Sequence, residues 1–318
     1  MESLFSGIKK FVFNSELRFL WLASKGVFDS WSDKKYIEHM FKARMGRELH
    51  LEEPITMNEK LQWLKLHDRQ PRYVQLVDKY LVRSYIADQI GDQYLIPLLG
   101  VWDDPDKIDF SLLPSKFVLK CNHNSGLGMC ICTDKSKLDK KKVIAGLKKG
   151  LAQDYYLTGR EWPYKDVPRK IIAEQYIEDT PMEKKKTSRI CEAEDTGLTD
   201  YKFFCFDGIA DSVMVCIDRN SGNPKFYFFN KDWKLCRYNI RGINAPSDFT
   251  LPKPENMDKM FEIAEYLSKG IPFVRVDLYN SNGKIYFGEL TFFPDSGFDN
   301  NLLPETDRYF GSLINLVV

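Results

Sequence analysis

Between Phe273 and Gly297 the chain places Arg275 and Asp277 on one side of an Asn282-Gly283 turn, and Glu289 and Thr291 on the other. Two carboxylates that converge beside a guanidinium suit one kind of chemistry. A hard cation such as Mg²⁺ binds through one or two carboxylates plus substrate phosphates, and Arg matches phosphate oxygens. The bland alternative is a cross-strand pair of solvated acids. The segment alternates as strands do, and successive strand residues face opposite ways. Val274, Val276, Leu278, Tyr286, Leu290 and Phe292 fall on even positions and predict a buried face; the four polar residues fall on odd positions. An Asn-Gly turn between such runs predicts a β-hairpin. A two-residue loop would put Asp277 opposite Gly288 and turn Glu289 away. A three-residue loop with a Gly bulge puts Asp277 opposite Glu289 and keeps the even set together. One buried face specifies register strongly, so the three-residue loop is expected.

Other cations precede this hairpin. Lys120 closes an apolar run and leads into Cys-Asn-His-Asn-Ser-Gly-Leu-Gly, residues 121–128. A lysine before a Gly-bearing polar loop can cradle phosphates with backbone N–H groups and one fixed charge. The loop is neither a Walker sequence nor a dinucleotide Gly-x-Gly-x-x-Gly, and taken alone it is better accounted for by an ordinary β-turn. Asp78-Lys79 opens a helix. Glu174 stands inside Ile-Ile-Ala-Glu-Gln-Tyr-Ile (residues 171–177), where a charge needs a partner or a function. Lys202 is a further in-strand cation, readable as a phosphate or substrate contact or as a surface lysine. Of the histidines, only His123 adjoins the loop.

The elements that must hold these groups can be read in order. Residues 1–92 read as helices: Ser15 as a cap, a stripe of Ile37, Met40, Phe41 and Met45 ending near Gly46, and a capping box at Thr56–Glu59. A further stripe of Leu81, Val82, Tyr85, Ile86 and Ile90 ends at Gly91. Strands are expected over 94–102, 117–120, 129–132 and 169–177, a Lys-rich helix over 136–153, a hairpin over 201–217 around Asp207-Gly208, and a helix over 255–269 before the final hairpin. The polar stretch 178–199 reads as a mobile loop. Helices followed by interspersed strands predict an α+β chain.

With 318 residues, 43% hydrophobic and 29% charged, the chain can bury a sizeable core. A net charge of +1 argues against a nucleic-acid binder that works through a global basic field. The seven cysteines (Cys121, Cys130, Cys132, Cys191, Cys205, Cys216, Cys236) are odd in number and scattered, which points to a reducing cytosol rather than a disulfide framework. Zinc at Cys121, Cys130 and Cys132 is disfavoured, because no Cys-x-x-Cys or His spacing accompanies them. No apolar run is long enough to span a membrane. The apolar start, broken by Lys9, Lys10, Glu16 and Arg18, could lie on a membrane surface or dock on its own protein.

Taken together, Pro54–Leu66, Val77–Tyr80, Phe117–Gly126, Tyr201–Gly208 and the final hairpin resemble the TupA-like (teichuronopeptide biosynthesis) ATP-grasp family over roughly residues 40–312. The resemblance implies an ATP-grasp fold: two α+β lobes sandwiching the nucleotide, here residues 76–175 with the phosphate loop and 176–318 with the metal site, after a helical region at 1–75. It implies ATP and Mg²⁺. Lys79 and Lys120 would hold phosphates, and Asn124, Ser125, Gly126 and Gly128 would form the closing loop. Glu174, Tyr176 and Ile177 would read adenine, and Glu178 or Asp179 the ribose. Arg275 and Lys202 would serve catalysis, and Asp277, Glu289 and Thr291 the metal. The family pattern often has Asn where Thr291 stands, with Asp295 and Ser296 as substitutes nearby.

The implied activity is a carboxylate–amine ligase working through an acyl-phosphate. It would join an amino acid to a uronic-acid carboxylate of a surface or capsular polysaccharide, in the cytoplasm or at the inner face of the membrane. The alternative is a glycosyltransferase of a polysaccharide locus, which needs a sugar-nucleotide pocket and usually an Asp-x-Asp metal motif, and no such motif is expected here. A nucleotide-binding module without catalysis, or a kinase, is a third reading.

Overall fold

A computed structural model describes residues 14–178, 198–217 and 224–316. Contacts divide the chain into two discontinuous units: Met1–Gln70 with Asp154–Lys165 and Phe293–Val318, and Pro71–Gln153 with Asp166–Phe292. Asp179 and most of the 178–199 stretch lie outside the described residues. Among the described residues no helix is long and apolar enough to cross a membrane.

The first unit is built on helices α1 (Ser15–Ala23), α2 (Asp33–Met45) and α3 (Met57–His67). The cap of α1 is Asn14, not Ser15: the Asn14 Oδ1 accepts from the Leu17 N–H at 2.8 Å, and Ser15 is already helical. Gly46 ends α2 at φ 69°, a left-handed conformation that costs glycine nothing. The capping box at α3 forms in both directions, with Thr56 Oγ1 accepting from the Glu59 N–H and Glu59 Oε2 accepting from the Thr56 N–H. Tyr36, Met40 and Phe41 pack with Phe298 in the core of this unit. Lys65, fully buried, brings the later segments back to α3. Its ammonium donates to Gln62 Oε1 at 2.9 Å, to the Gly159 carbonyl at 2.7 Å and to the Ser296 carbonyl at 2.6 Å. Burial lowers its pKa to about 7, against the opposing pull of Glu161. Ser296, expected as a stand-in near the metal, instead donates its hydroxyl to Glu161 at 2.6 Å.

The second unit holds two antiparallel sheets. One runs in the order β1-β4-β2-β3: β1 is Leu98–Trp102, β2 Phe117–Cys121, β3 Cys130–Cys132 and β4 Ile171–Gln175. The helix Lys140–Leu151 sets Leu147 against Phe117, Leu119, Cys121 and Ile171 in its core. The other runs β10-β9-β5-β6-β7-β8, where β5 is Asp200–Phe206, β6 Ile209–Ile217, β7 Lys225–Phe229, β8 Leu235–Cys236, β9 Val274–Ser281 and β10 Lys284–Thr291. The helix Met257–Leu267 covers it, with Phe261 edge-on to Phe203. Most strands and helices end a few residues inside the expected limits, as frayed ends do, whereas β2 runs one residue further, to Cys121, and β5 starts one residue earlier, at Asp200. The pair β7 and β8 had no clear signal.

The final hairpin corrects the expected loop. Its turn has two residues, Asn282 at φ 51° and Gly283 at φ 79°, both left-handed as a type I′ turn requires. Lys284 pairs Ser281, and Phe287 pairs Leu278. The extra residue sits further along, at Gly288, after which Glu289 pairs Asp277. The predicted pairing therefore forms through a mid-strand bulge rather than a longer loop. Gly288 is required there, because a Cβ would lie 2.9 Å from the Asp277 carbonyl oxygen. The bulge also changes the expected face of one residue. Tyr286 pairs Tyr279 and so shares the polar side, while Ile285 and Phe287 join Leu278 on the apolar side.

Candidate functional site

Three adjacent strands set one row of charge. Glu289 on β10 is opposite Asp277 on β9, and Asp277 is opposite Lys202 on β5. Cross-strand partners share a face, so the row needs no special loop. Asp277 is 1% exposed, and both its oxygens are bonded. Arg275 donates from Nε to Oδ1 and from Nη2 to Oδ2, both at 2.7 Å, and Lys202 Nζ meets Oδ2 at 2.5 Å. Lys202 also lies 3.0 Å from Asp200 Oδ2. Arg275 Nη2 donates to Thr291 Oγ1 at 3.2 Å, and that hydroxyl donates to Glu289 Oε1 at 3.2 Å. Lys79 completes the cluster, its Nζ 3.6 Å from Glu289 Oε2 and hydrogen-bonded to the Asn124 carbonyl at 2.8 Å.

The electrostatics follow. Burial opposes ionisation of Glu289, but Lys79, Arg275, Lys202 and Lys120 outweigh it and hold its pKa down at about 2. The side chain keeps 37% of its surface, so water screens part of that field. Burial works against the charge of Lys202, yet Asp277 and Asp200 raise its pKa despite Arg275. Arg275 is raised too, burial being overcome by Asp277. Glu289 is thus ionised and Lys202 and Arg275 charged at neutral pH. Three acids (Asp200, Asp277, Glu289) face three cations (Lys79, Lys202, Arg275).

A second charge group lies on the other sheet. Glu174 on β4 and Lys120 on β2 point to one face, with Lys120 Nζ 2.6 Å from Glu174 Oε2. Arg83 binds the other oxygen at 3.3 Å and the Ile96 carbonyl at 2.8 Å. The buried acid in an apolar strand is therefore paired. Tyr176 and Ile177 follow β4, half-buried. The Glu178 carboxylate bonds Lys116, and its carbonyl accepts from Ser281 Oγ at 2.9 Å.

The loop after β2 is fastened by Asn122. Its Nδ2 donates to Asp78 Oδ1 and to the Pro168 carbonyl, each at 2.8 Å, and its Oδ1 accepts from the Lys170 N–H at 2.7 Å. Asp78 Oδ1 also accepts the N–H groups of Tyr80 and Leu81, which sets the turn carrying Lys79. Asn124 is buried and donates to the Gly150 carbonyl at 3.2 Å. Ser125 and Gly126 are exposed at the apex. Gly128, at φ +76°, lies against Cys121 and Gly150, where a Cβ would meet Cys121 Sγ at 3.0 Å. His123 is buried, with Nε2 at 3.1 Å from the Gln153 carbonyl.

Two carboxylates and a hydroxyl converge, all oxygen, with cations standing where a metal ion would bind. That donor set fits Mg²⁺, which takes one or two carboxylates and completes its shell from phosphate and water. Among the described residues no group of three or more His, Cys, Asp or Glu forms a protein-only cage. Asp104 and Asp106 do carry an Asp-x-Asp spacing, but they build a 3-10 turn. Asp104 Oδ1 accepts the Asp106 N–H at 3.0 Å, and Asp106 pairs Lys148 at 2.6 Å.

Sequence reasoning missed Arg83 and Asp200. Arg83 lies on a helix without a local signal. Asp200 precedes Lys202 by two residues on β5, and strand parity alone would have placed both on one face.

The family model for TupA-like ATPgrasp matches residues 59–315. No curated protein matches the chain. Similar solved structures include D-alanine–D-alanine ligase from Helicobacter pylori (14% identity over 83% of this chain and 70% of that chain, TM-score 0.41). ATP-grasp ligase PsnB in complex with a minimal precursor is 10% identical over 91% and 74%, with a TM-score of 0.40. D-cycloserine synthetase DcsG is 15% identical over 76% and 69%, with a TM-score of 0.40.

Proposed function

The chain belongs to the TupA-like ATP-grasp family, and we propose that it is an ATP-dependent carboxylate–amine ligase that attaches an amino acid to a uronic-acid carboxylate of a surface polysaccharide. The observation that carries the site assignment is the paired Asp277 and Glu289 with Arg275 and Lys202 on one sheet face and Lys79 reaching Glu289 at 3.6 Å.

Asp277 and Glu289 would hold Mg²⁺, with Thr291 supporting Glu289. The bound ion supplies charge neutralisation for the phosphates. Lys79, Arg275 and Lys202 would add cations around the transferring phosphoryl group, and the exposed Ser125-Gly126 apex would offer N–H groups to it. A carboxylate oxygen of the substrate attacks the γ-phosphorus, and the bond to the ADP oxygen breaks. An amine then attacks the acyl carbon; phosphate leaves with the C–O bond pair and the nitrogen loses a proton. No protein nucleophile takes part. Glu174, with Tyr176 and Ile177 beside it, would serve the adenine end, and Lys120 the phosphates.

The test is ADP release by the full chain with Mg·ATP, across a panel of amino acids and uronate-bearing saccharides, with product mass measured. Release that requires both partners, with a product heavier by the amino acid less water, is expected. ADP release independent of either partner would overturn the ligase substrate reading. Stabilisation by a UDP-sugar and not by ATP would favour a glycosyltransferase.

A further inference from the structure

Lys202 does not stand between equals. Its ammonium is 2.5 Å from Asp277 Oδ2 and 3.0 Å from Asp200 Oδ2. Asp200 is buried at the start of β5, two residues from Lys202 and on the same face. It pairs across β9 with Tyr279, one step beyond the Asp277 row. It therefore lies beside the proposed metal ligands without being one of them.

Asp277 has two oxygens and is already bound three times. Arg275 takes one position on each oxygen, and Lys202 takes a second position on Oδ2. A carboxylate offers about four lone-pair sites. A cation arriving at Oδ2 competes with Lys202 directly, whereas the bidentate Arg275 fork can stay. An ammonium expelled from a buried carboxylate needs another acceptor, because an unpaired buried charge is costly. Asp200 Oδ2 is that acceptor and is already within hydrogen-bond distance.

We propose that Asp200 is a positioning residue: it takes over Lys202 when a divalent cation enters at Asp277, and keeps the ammonium at the site facing the phosphates. This rests on the proposed Mg²⁺–nucleotide role of Asp277. Lys202 thus occupies the metal position beforehand and becomes a phosphate-facing cation afterwards, with Asp200 setting the balance between the two.

The experiment measures ATP affinity of the full chain by calorimetry over a Mg²⁺ titration, for wild type, Asp200→Asn, Asp200→Ser, Asp200→Glu and Lys202→Met, and for the double variant Asp200→Asn/Lys202→Met. Circular dichroism confirms folding of each, and Asp200→Ser stands in if the Asn variant does not fold. Without its second acceptor Lys202 holds Asp277 harder. The Mg²⁺ concentration for half-maximal ATP binding should rise about tenfold in Asp200→Asn and Asp200→Ser, the scale of one charge-assisted hydrogen bond, with partial return in Asp200→Glu. ATP affinity without Mg²⁺ should be nearly unchanged. In the Lys202→Met background the Asp200→Asn shift should vanish. An equal loss of ATP affinity with and without Mg²⁺, or a shift that persists without Lys202, overturns the exchange. If wild-type ATP binding ignores Mg²⁺ altogether, the metal assignment at Asp277 fails, and the exchange with it.

Discussion

Replacing Asp277 by Asn removes one negative charge from the middle of the row and keeps its shape. The carboxylate makes two bonds to Arg275 at 2.7 Å and one to Lys202 at 2.5 Å, in a position with 1% exposure. Bonds to charged groups contribute about 1.5–3 kcal/mol each, but three such values do not add. The Asn oxygen still accepts, Lys202 retains Asp200 at 3.0 Å, and Arg275 retains Glu289 at 3.6 Å. Removing one partner of a buried ion pair costs roughly 3–5 kcal/mol, and the remaining acids put this case at the lower end, about 3 kcal/mol. Lys202→Met should cost less, because Arg275 still neutralises Asp277. The assay is urea denaturation of the four proteins of a double-mutant cycle, followed by circular dichroism. A coupling of about 1–2 kcal/mol between Asp277 and Lys202 is expected, together with loss of Mg²⁺-dependent ATP binding in every Asp277→Asn protein. A single-variant cost near the ~0.5 kcal/mol of a surface change, or a coupling below ~0.5 kcal/mol, would refute the reasoning.

Gly288→Ala should cost about 1–3 kcal/mol, since its Cβ would lie 2.9 Å from the Asp277 carbonyl oxygen; thermal melting and Mg²⁺-dependent ATP binding should both fall, and an unchanged pair would show that the bulge tolerates a side chain. Glu174→Gln should leave Lys120 and Arg83 facing a neutral amide and destabilise by about 2–3 kcal/mol, read by denaturation with and without ATP. Lys65 gives a pH dependence: the unfolded chain keeps its proton to 10.5 and the folded chain only to about 7. The unfolded state therefore binds more protons across that window, so stability should rise with pH from about 7 towards 10.5. Comparing wild type with Lys65→Met by denaturation at several pH values should isolate this rise, which the variant lacks.

What the sequence made legible was what short range controls. The Thr56–Glu59 box, the left-handed stop at Gly46 and the type I′ turns at Asp207-Gly208 and Asn282-Gly283 are each set by a few neighbouring residues. The pairing of Asp277 with Glu289 was legible because burial of one face leaves little freedom of register. The location of the extra residue was not: a bulge at the turn and one at Gly288 give the same pairing beyond it, and only the close approach to the Asp277 carbonyl separates them. Arg83 and Lys65 were hidden for another reason. Their partners are 91 residues away for Arg83, and 94 and 231 residues away for Lys65, and no periodicity reports a contact of that range.

Asn122 has a consequence for what the protein can measure. One amide, two residues past Lys120, is tied to the carboxylate one residue before Lys79 and to the chain at Pro168 and Lys170. It works as the fixed jaw of a caliper: the span between those two lysines is set by the scaffold rather than by whatever sits between them. In the proposed role, a phosphate chain held by both lysines would meet a frame already tied together at Asn122.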